Sequence, residues 1–181
     1  METEHADDSA DLTAGRDALR GHQWREAYDH LVRADRDGRL GAADLEALAQ
    51  AAWFTAQPDM AVEGRERAFK AYVADGNRAR AAKVAFELGR EYVSKQKFSI
   101  AAAWAARGER LLEGEPEGFA HGYQALSKSL TAEHAGDVET AIKSAGQAAE
   151  IGMRFEDADL RAWGLLQQGR LLIGGGRTDE G

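Results

Sequence analysis

A short phrase recurs along this 181-residue chain at a nearly constant spacing, and this repeat constrains the fold more than any other feature. Each copy contains a turn, an apolar or small residue, and then a small residue that we call the anchor. The anchors are Ala27, Ala61, Ala101, Ala141 and Gly181, which lie 34, 40, 40 and 40 residues apart. Such a period is typical of repeat proteins, in which each repeat is one supersecondary unit stacked on its neighbours.

The residues around each anchor indicate pairs of helices. The position twelve residues before each anchor is also small: Gly15, Ala49, Gly89, Ser129 and Gly169. Small residues allow two helix axes to approach within about 8–10 Å. Larger apolar residues recur between them at spacings of three and four, which keeps them on one helical face. With no alternating pattern that would indicate a strand, the sequence predicts an all-α fold, a right-handed superhelix of antiparallel helix pairs with about nine helices.

The turn signals divide the chain into segments. We expect helices over 9–20, 24–36, 42–55, 59–74, 78–94, 97–112, 117–134, 138–151 and 157–173. Residues 1–8 are expected to form a disordered acidic tail, 9–173 the repeat domain, and 174–181 a turn with the start of a truncated next helix. Two interpretations of this end are open. Either the helix over 157–173 caps the array and the tail frays, or the chain is a fragment or natural truncation of a longer array.

Composition excludes several classes of function. The net charge is −8 and the pI is about 5.2, which argues against a nucleic-acid-binding surface. Cysteine is absent, so disulfides and thiolate chemistry are excluded, and a cytoplasmic location is expected. The acidic N-terminus lacks the pattern of a signal peptide. No run approaches 18 consecutive apolar residues, so no membrane association is expected.

Patterns typical of catalytic or metal-binding sites are either absent or better explained by a structural role. No histidine has a second histidine three or four residues away, so no helical metal pair is present. Ser94 and Lys97 match a Ser-x-x-Lys pattern, but they lie at a helix end, where a capping role is favoured. No phosphate-binding Gly-x-x-x-x-Gly-Lys-Ser/Thr loop occurs. The sequence therefore predicts no enzyme activity, no metal and no cofactor.

The repeat resembles that of tetratricopeptide (TPR) proteins over roughly residues 10–181. The residues that carry the resemblance are Gly15-Arg16-Asp17-Ala18-Leu19 with Trp24-Arg25-Glu26-Ala27, Arg65-Glu66-Arg67-Ala68-Phe69, Ala102-Ala103-Trp104-Ala105 with Glu109-Arg110-Leu111-Leu112, and the closing segment 174–181. More narrowly, they are similar to the helical-repeat region of bacterial regulators of the LuxR and adenylate-cyclase type. The resemblance implies a binding scaffold, with the first helix of each pair lining a concave groove.

Consistent offsets before each anchor select the side chains expected to face that groove. They are Arg16, Arg20, Gln50, Trp53, Phe54, Lys83, Phe86, Arg90, Tyr123, Leu130, His134, Trp163 and Arg170. The alternative for each aromatic residue is that it packs between helices. An apolar groove with several basic residues would favour an extended or helical segment that carries acidic groups.

These observations favour a non-catalytic protein- or peptide-binding scaffold, in its more specific form the sensor or assembly segment of a bacterial regulator. The alternative is a small-molecule effector-binding domain of a transcriptional regulator. Homo-oligomerisation through the apolar C-terminal helix is a third hypothesis, and DNA binding is a weak fourth.

Overall fold

The computed structural model describes residues 2–36, 38 and 40–177, and within these ranges the chain forms nine helices and no strand. The helices are α1 (Glu2–Arg20), α2 (Trp24–Ala34), α3 (Ala42–Phe54), α4 (Pro58–Ala74), α5 (Arg78–Ser94), α6 (Phe98–Leu112), α7 (Phe119–His134), α8 (Val138–Arg154) and α9 (Ala158–Gly174). The all-α fold of antiparallel helix pairs is therefore confirmed.

Most helix ends fall within a few residues of the expected positions, and α1 is the main exception. It begins at Glu2, so residues 2–8 continue the helix instead of forming the tail expected there. This stretch contains Glu and Ala, which are good helix formers. The anchor Gly181 and the start of a further helix expected near it lie outside the described residues.

The turn inside each repeat phrase has one shared backbone geometry. The residue five positions before each anchor has a positive φ angle: His22, Ala56, Gln96, Gly136 and Gly176. The N–H of the following residue donates to a carbonyl five residues earlier, as from Gln23 to Ala18 and from Asp137 to Ala132, both at 2.9 Å. This pattern is the Schellman motif, which satisfies the last carbonyls of the first helix. The turns predicted from the repeat phrase are thus confirmed.

The anchors lie where paired helices touch. Ala27, Ala61 and Ala141 are fully buried, and Ala101 is nearly so. The Ser129 hydroxyl donates to the carbonyl of Ala141 at 2.8 Å, and a Cβ added at Gly89 would lie 3.3 Å from the carbonyl oxygen of Ala101. Ala101 and Ala141 therefore meet the small residues twelve positions before them, as the helix register expected from the sequence requires.

The chain divides into two compact units, Met1–Asn77 and Arg78–Gly181. The N-terminal unit contains α1 to α4, and Leu31 and Leu48 are its most deeply buried large side chains. The C-terminal unit contains α5 to α9, and its main cluster includes Phe86, Ile151 and Leu160. Each unit thus buries its own apolar residues between helix pairs. Among the described helices, none is both long and apolar enough to cross a bilayer.

Candidate functional site

An open cleft of about 490 Å³ lies in the C-terminal unit between α5, α6 and α7. Its lining comes from the end of α5, the first half of α6 and the second half of α7. The lining residues are Gly89, Arg90, Val93, Phe98, Ala101, Ala102, Ala105, Ser127, Leu130, Thr131, His134 and Ala135. Most of these side chains are apolar or small, so the cleft presents hydrocarbon to solvent.

Two helical stripes form the walls of the cleft. On α6 the lining positions are 98, 101, 102 and 105, and on α7 they are 127, 130, 131 and 134. Both follow the spacing of three and four that places residues on one helical face. Phe98 is 52% exposed, and its ring meets the ring of His134 edge-on with centroids 5.4 Å apart. These two rings stand at one end of the cleft, and each stripe extends over about two helical turns.

The next junction in the C-terminal unit, between α8 and α9, has the same register 40 residues further on, and it is closed. Ala102 corresponds there to Ile142, and Thr131 corresponds to Leu171. Ile142 and Leu171 are 8% and 6% exposed and belong to one apolar cluster. The cleft is therefore open where Ala102 and Thr131 stand in place of the two larger side chains that pack together at the α8–α9 junction.

Polar groups at the next junction also have apolar or small counterparts in the cleft. Glu133 lies between α7 and α9, where Gln167 Nε2 donates to its Oε2 at 2.8 Å and Arg170 donates to the same oxygen. Hydrogen bonds from Arg170 and then Gln167, opposed by some desolvation, lower the pKa of the Glu133 carboxyl. The residues 40 positions earlier are Val93, Ser127 and Leu130, all of which line the cleft.

The charge of the lining differs in sign from that of the chain. The lining contains one formally charged residue, Arg90, and no carboxylate, whereas the whole chain has a net charge of −8. The Arg90 guanidinium lies over the ring of Trp163, 4.5 Å from its centroid. A cation against an aromatic face is held in place by about 0.5–1 kcal/mol at an exposed site. The cleft therefore combines apolar walls with one guanidinium group, which is held against Trp163.

The structure brings three of the residues predicted in the C-terminal unit into this cleft: Arg90, Leu130 and His134. Trp163 contacts Arg90 from α9, and Arg170 pairs with Glu133. Lys83 pairs with Glu87 at 3.2 Å.

Phe86 and Tyr123 are core residues, so the groove position predicted for them does not match their surroundings. They are 3% and 8% exposed, because α5 packs directly against α7. The Tyr123 hydroxyl donates to Asp157 at 3.1 Å. Burial raises the pKa of Tyr123, and the nearby Glu87 and Asp157 carboxylates add to this shift. Both rings stabilise the core of this unit.

The residues predicted in the N-terminal unit contact their own neighbours. Arg16 makes two hydrogen bonds to Asp44, at 2.7 and 2.8 Å, and this pairing raises the pKa of Arg16. Arg20 pairs with Asp17 one turn away. Phe54 stacks on Trp24 with ring centroids 4.2 Å apart. Of the other two, Gln50 is half-buried and Trp53 is 42% exposed.

Phe98, Val93 and the small wall residues are not among the side chains predicted to face the groove. A comparison of repeats 40 residues apart could have found them, because Ile142 and Leu171 are large where Ala102 and Thr131 are small. The Ser-x-x-Lys pattern has a structural role. The Ser94 hydroxyl donates to the Glu91 carbonyl at 2.7 Å, and Lys97 is the N-cap residue of α6. Among the described side chains, no group of three or more potential ligands could hold a metal ion.

The chain matches no protein-family model and no curated protein. It is similar in structure to the TPR-like repeats of a putative kinesin light chain from Podosopora anserina, with a TM-score of 0.56 and 16% identity, over 95% of this chain and 88% of that one. It is also similar to BtubC (BKLC) from P. vanneervenii, with a TM-score of 0.56 and 16% identity, over 99% and 85% of the two chains. These likenesses define the fold as TPR-like.

Proposed function

We propose that this chain is a non-catalytic scaffold that binds a segment of a partner protein in the cleft between α5, α6 and α7. TPR-like repeat folds in general mediate protein–protein interactions and are generally non-catalytic. The observation that carries the proposal is the open apolar cleft, because Ile142 and Leu171 close the corresponding junction 40 residues further on.

The energetic argument is the burial of a partner's apolar side chain. A Leu or Phe moved from water into such a cleft contributes about 1.5–3 kcal/mol. Phe98 and Leu130 would be covered at the same time, and both line the opening. A few well-packed apolar contacts of this kind dominate the affinity of many interfaces.

Selection of peptides from a random displayed library against the immobilised full chain tests the scaffold function. We expect enriched peptides whose binding is weakened by Phe98→Ala. Ile100→Ala is the matched control, because Ile100 lies on the same helix and is 43% exposed but does not line the cleft. A library that yields no binder, or binders that depend on Ile100 and not on Phe98, would contradict the proposal.

A more specific role as the sensor or assembly segment of a cytoplasmic bacterial regulator rests on the sequence resemblance alone. The coding sequence that surrounds this chain tests it. A nucleotide-binding or cyclase module, or a helix-turn-helix, encoded in the same reading frame would support the regulator. A different kind of neighbouring domain would refute it.

A small-molecule effector pocket is the second candidate, and the size of the cleft favours it. A volume of about 490 Å³ falls within the roughly 300–1,000 Å³ typical of small-molecule sites. A thermal-shift screen of metabolites checks this, because a ligand of the native state raises the midpoint of unfolding. A hit that persists when the cleft is filled by larger side chains would place the ligand elsewhere.

Self-association through α9 is a further proposal. Trp163, Leu165, Leu166 and Ile173 are between 44% and 62% exposed on this helix. Light scattering coupled to size exclusion, at several protein concentrations, measures the mass directly. A constant mass of one chain would remove this proposal and leave the scaffold function intact.

A further inference from the structure

We infer that α9 pairs with α9 of a second copy of this chain, in an antiparallel dimer with two-fold symmetry. The residues that meet in this dimer, which we call the α9 stripe, are Ala162, Leu166, Gly169 and Ile173. They lie at positions i, i+4, i+7 and i+11, the spacing at which one helix packs along another. The inference rests on the self-association proposed above, and it specifies how the two copies meet.

The other first helices of the C-terminal unit show what this face does in the repeat. The residues 40 and 80 positions before Leu166 are Leu126 and Phe86, which are 5% and 3% exposed, whereas Leu166 is 62% exposed. Phe86 is covered by α6, because a Cβ added at Gly108 would lie 2.7 Å from its ring. Leu166 therefore occupies a helix-pairing position that no helix covers in the part of the chain that the structure describes.

The α7–α8 pair shows what kind of helix fits this face. A Cβ added at Gly122 would lie 2.9 Å from Cγ2 of Ile151, and the Ser129 hydroxyl donates to the carbonyl of Ala141. The start of α7 thus contacts the end of α8, and the end of α7 contacts the start of α8, so the two helices run antiparallel. At Ile151 a large side chain lies against a small residue, as Phe86 does in the pair before. By the same rule, the helix that covers α9 is antiparallel and places a small residue against Leu166.

A second α9 meets both requirements. In one antiparallel register, Leu166 of each copy lies opposite Gly169 of the other. The same register places Ile173 opposite Ala162. Each branched side chain therefore faces a small residue, which lets the helix axes approach within about 8–10 Å. Because both copies contribute the same surface, the contact closes on itself as a two-fold dimer.

Charge does not oppose this pairing. The α9 stripe contains no ionisable side chain. Arg170 lies beside it, and its guanidinium donates to the Glu133 carboxylate of the same copy, which offsets its positive charge. The two copies therefore bring apolar side chains together without taking an unpaired charge out of water.

The size of the contact sets its strength. The large side chains of α9 that remain 44% to 62% exposed are Trp163, Leu165, Leu166 and Ile173. Stable interfaces bury about 800 Å² on each partner. A single helix of 17 residues is only about 25 Å long and offers less than this area. The dimer is therefore weak and reversible, and single chains predominate at low concentration.

Sedimentation equilibrium of the full chain, from about 1 μM to 1 mM, measures the association constant. Leu166→Glu and Leu166→Lys are the test variants, because the two copies of position 166 lie close to the symmetry axis and would carry like charges. Met153→Glu is the matched control, because Met153 is 60% exposed but lies on α8. Urea denaturation verifies that each variant is folded.

We expect wild type and Met153→Glu to dimerise with the same association constant. Leu166→Glu and Leu166→Lys, each alone, should associate at least about tenfold more weakly, because like charges meet across the axis. An equimolar mixture of the two should associate about tenfold more strongly than either alone, because opposite charges then meet. This recovery should diminish as salt is added.

Single cysteines test the direction of the helices, since the chain contains no cysteine of its own. With an added oxidant, Ala162→Cys mixed with Ile173→Cys should form a disulfide between copies, because these positions face each other. Neither variant should cross-link with itself, since the two copies of either position lie about 16 Å apart along the helix axis, beyond the reach of a disulfide.

Two results would overturn the inference and leave self-association in place. One is a dimer that Leu166→Glu does not weaken, or that mixing with Leu166→Lys does not restore. The other is Ala162→Cys that cross-links with itself and not with Ile173→Cys. A constant mass of one chain for wild type would remove this inference together with the proposed self-association, and leave the α9 stripe to a different helix. The scaffold function is tested separately, by the dependence of selected peptides on Phe98.

Discussion

A close contact between α8 and α9 in the C-terminal unit provides a sharp test of the repeat packing. At Gly164 of α9, an added Cβ would lie 2.5 Å from the backbone nitrogen of Ala149 and 2.9 Å from the carbonyl oxygen of Ala145. Non-bonded carbon atoms are normally about 3.5–4.0 Å apart. The obstructing atoms belong to the backbone of α8 and cannot rotate away. Gly164→Ala therefore forces α8 and α9 apart by roughly 1 Å.

The cost follows from two opposing effects. Insertion of a methyl group into a well-packed contact costs about 1–3 kcal/mol. Alanine favours a helix over glycine by up to about 1 kcal/mol. Since rigid backbone lies on the α8 side, we expect the larger cost and a net loss of about 2 kcal/mol in the free energy of unfolding. Urea denaturation of the full chain, followed by far-UV circular dichroism, measures this loss as a lower midpoint.

Gly146→Ala is the matched control on α8. Its added Cβ would meet the side-chain amide nitrogen of Gln168 at 2.7 Å, and this end of a flexible side chain can move. The helix preference of alanine then dominates, and a gain of up to about 1 kcal/mol is expected. The two variants should therefore shift the midpoint in opposite directions. Equal midpoints, or a neutral Gly164→Ala, would refute the close approach of these helices.

Two more predictions concern polar groups. Asp157 caps α9 and accepts the hydroxyl of the buried Tyr123, so Asp157→Ala should cost about 2 kcal/mol in urea denaturation, more than Asp137→Ala at the exposed cap of α8. Equal losses would show that the Tyr123 bond contributes nothing. The hydrogen bond from Arg170 lowers the pKa of Glu133. The Glu133 carboxylate therefore stabilises the fold at pH values above its ordinary pKa of about 4.3, and this stabilisation is lost as the pH falls through the lowered pKa. Glu133→Gln should lower the free energy of unfolding by up to about 1 kcal/mol near neutral pH. If the difference in stability between this variant and wild type grew as the pH was lowered, the prediction would be contradicted.

The helix pairs could be predicted because their determinants are local and recur. Anchors such as Ala141 and the small residues twelve positions before them mark where helices touch, and the turn phrase marks where they end. The backbone of those turns was harder to predict. His22, Ala56 and Gln96 adopt the positive φ that usually calls for glycine, and only their register with Gly136 identifies them. The start of α1 could not be predicted either, since an acidic stretch suits both a helix and a tail.

The candidate site could be predicted only in part, because it depends on how far helices separate. Offsets from the anchors placed Arg90, Leu130 and His134 on one side of their helices, and these residues line the cleft. The same offsets do not distinguish a ring in an open groove from a ring buried between α5 and α7, as Phe86 is. The cleft itself arises from small side chains at Ala102 and Thr131, which leave space that hydrophobic periodicity does not reveal.

The most direct test of the cleft as the binding site is a titration of the isotope-labelled 19.6 kDa chain with a peptide selected from the displayed library, observed through the backbone amide NMR signals of the chain. We predict that the largest shifts fall in segments 98–105 and 127–135, with smaller ones at the end of α5. Shifts concentrated around Trp53 and Phe54, or on the exposed face of α9 around Leu166, would contradict the assignment of the cleft.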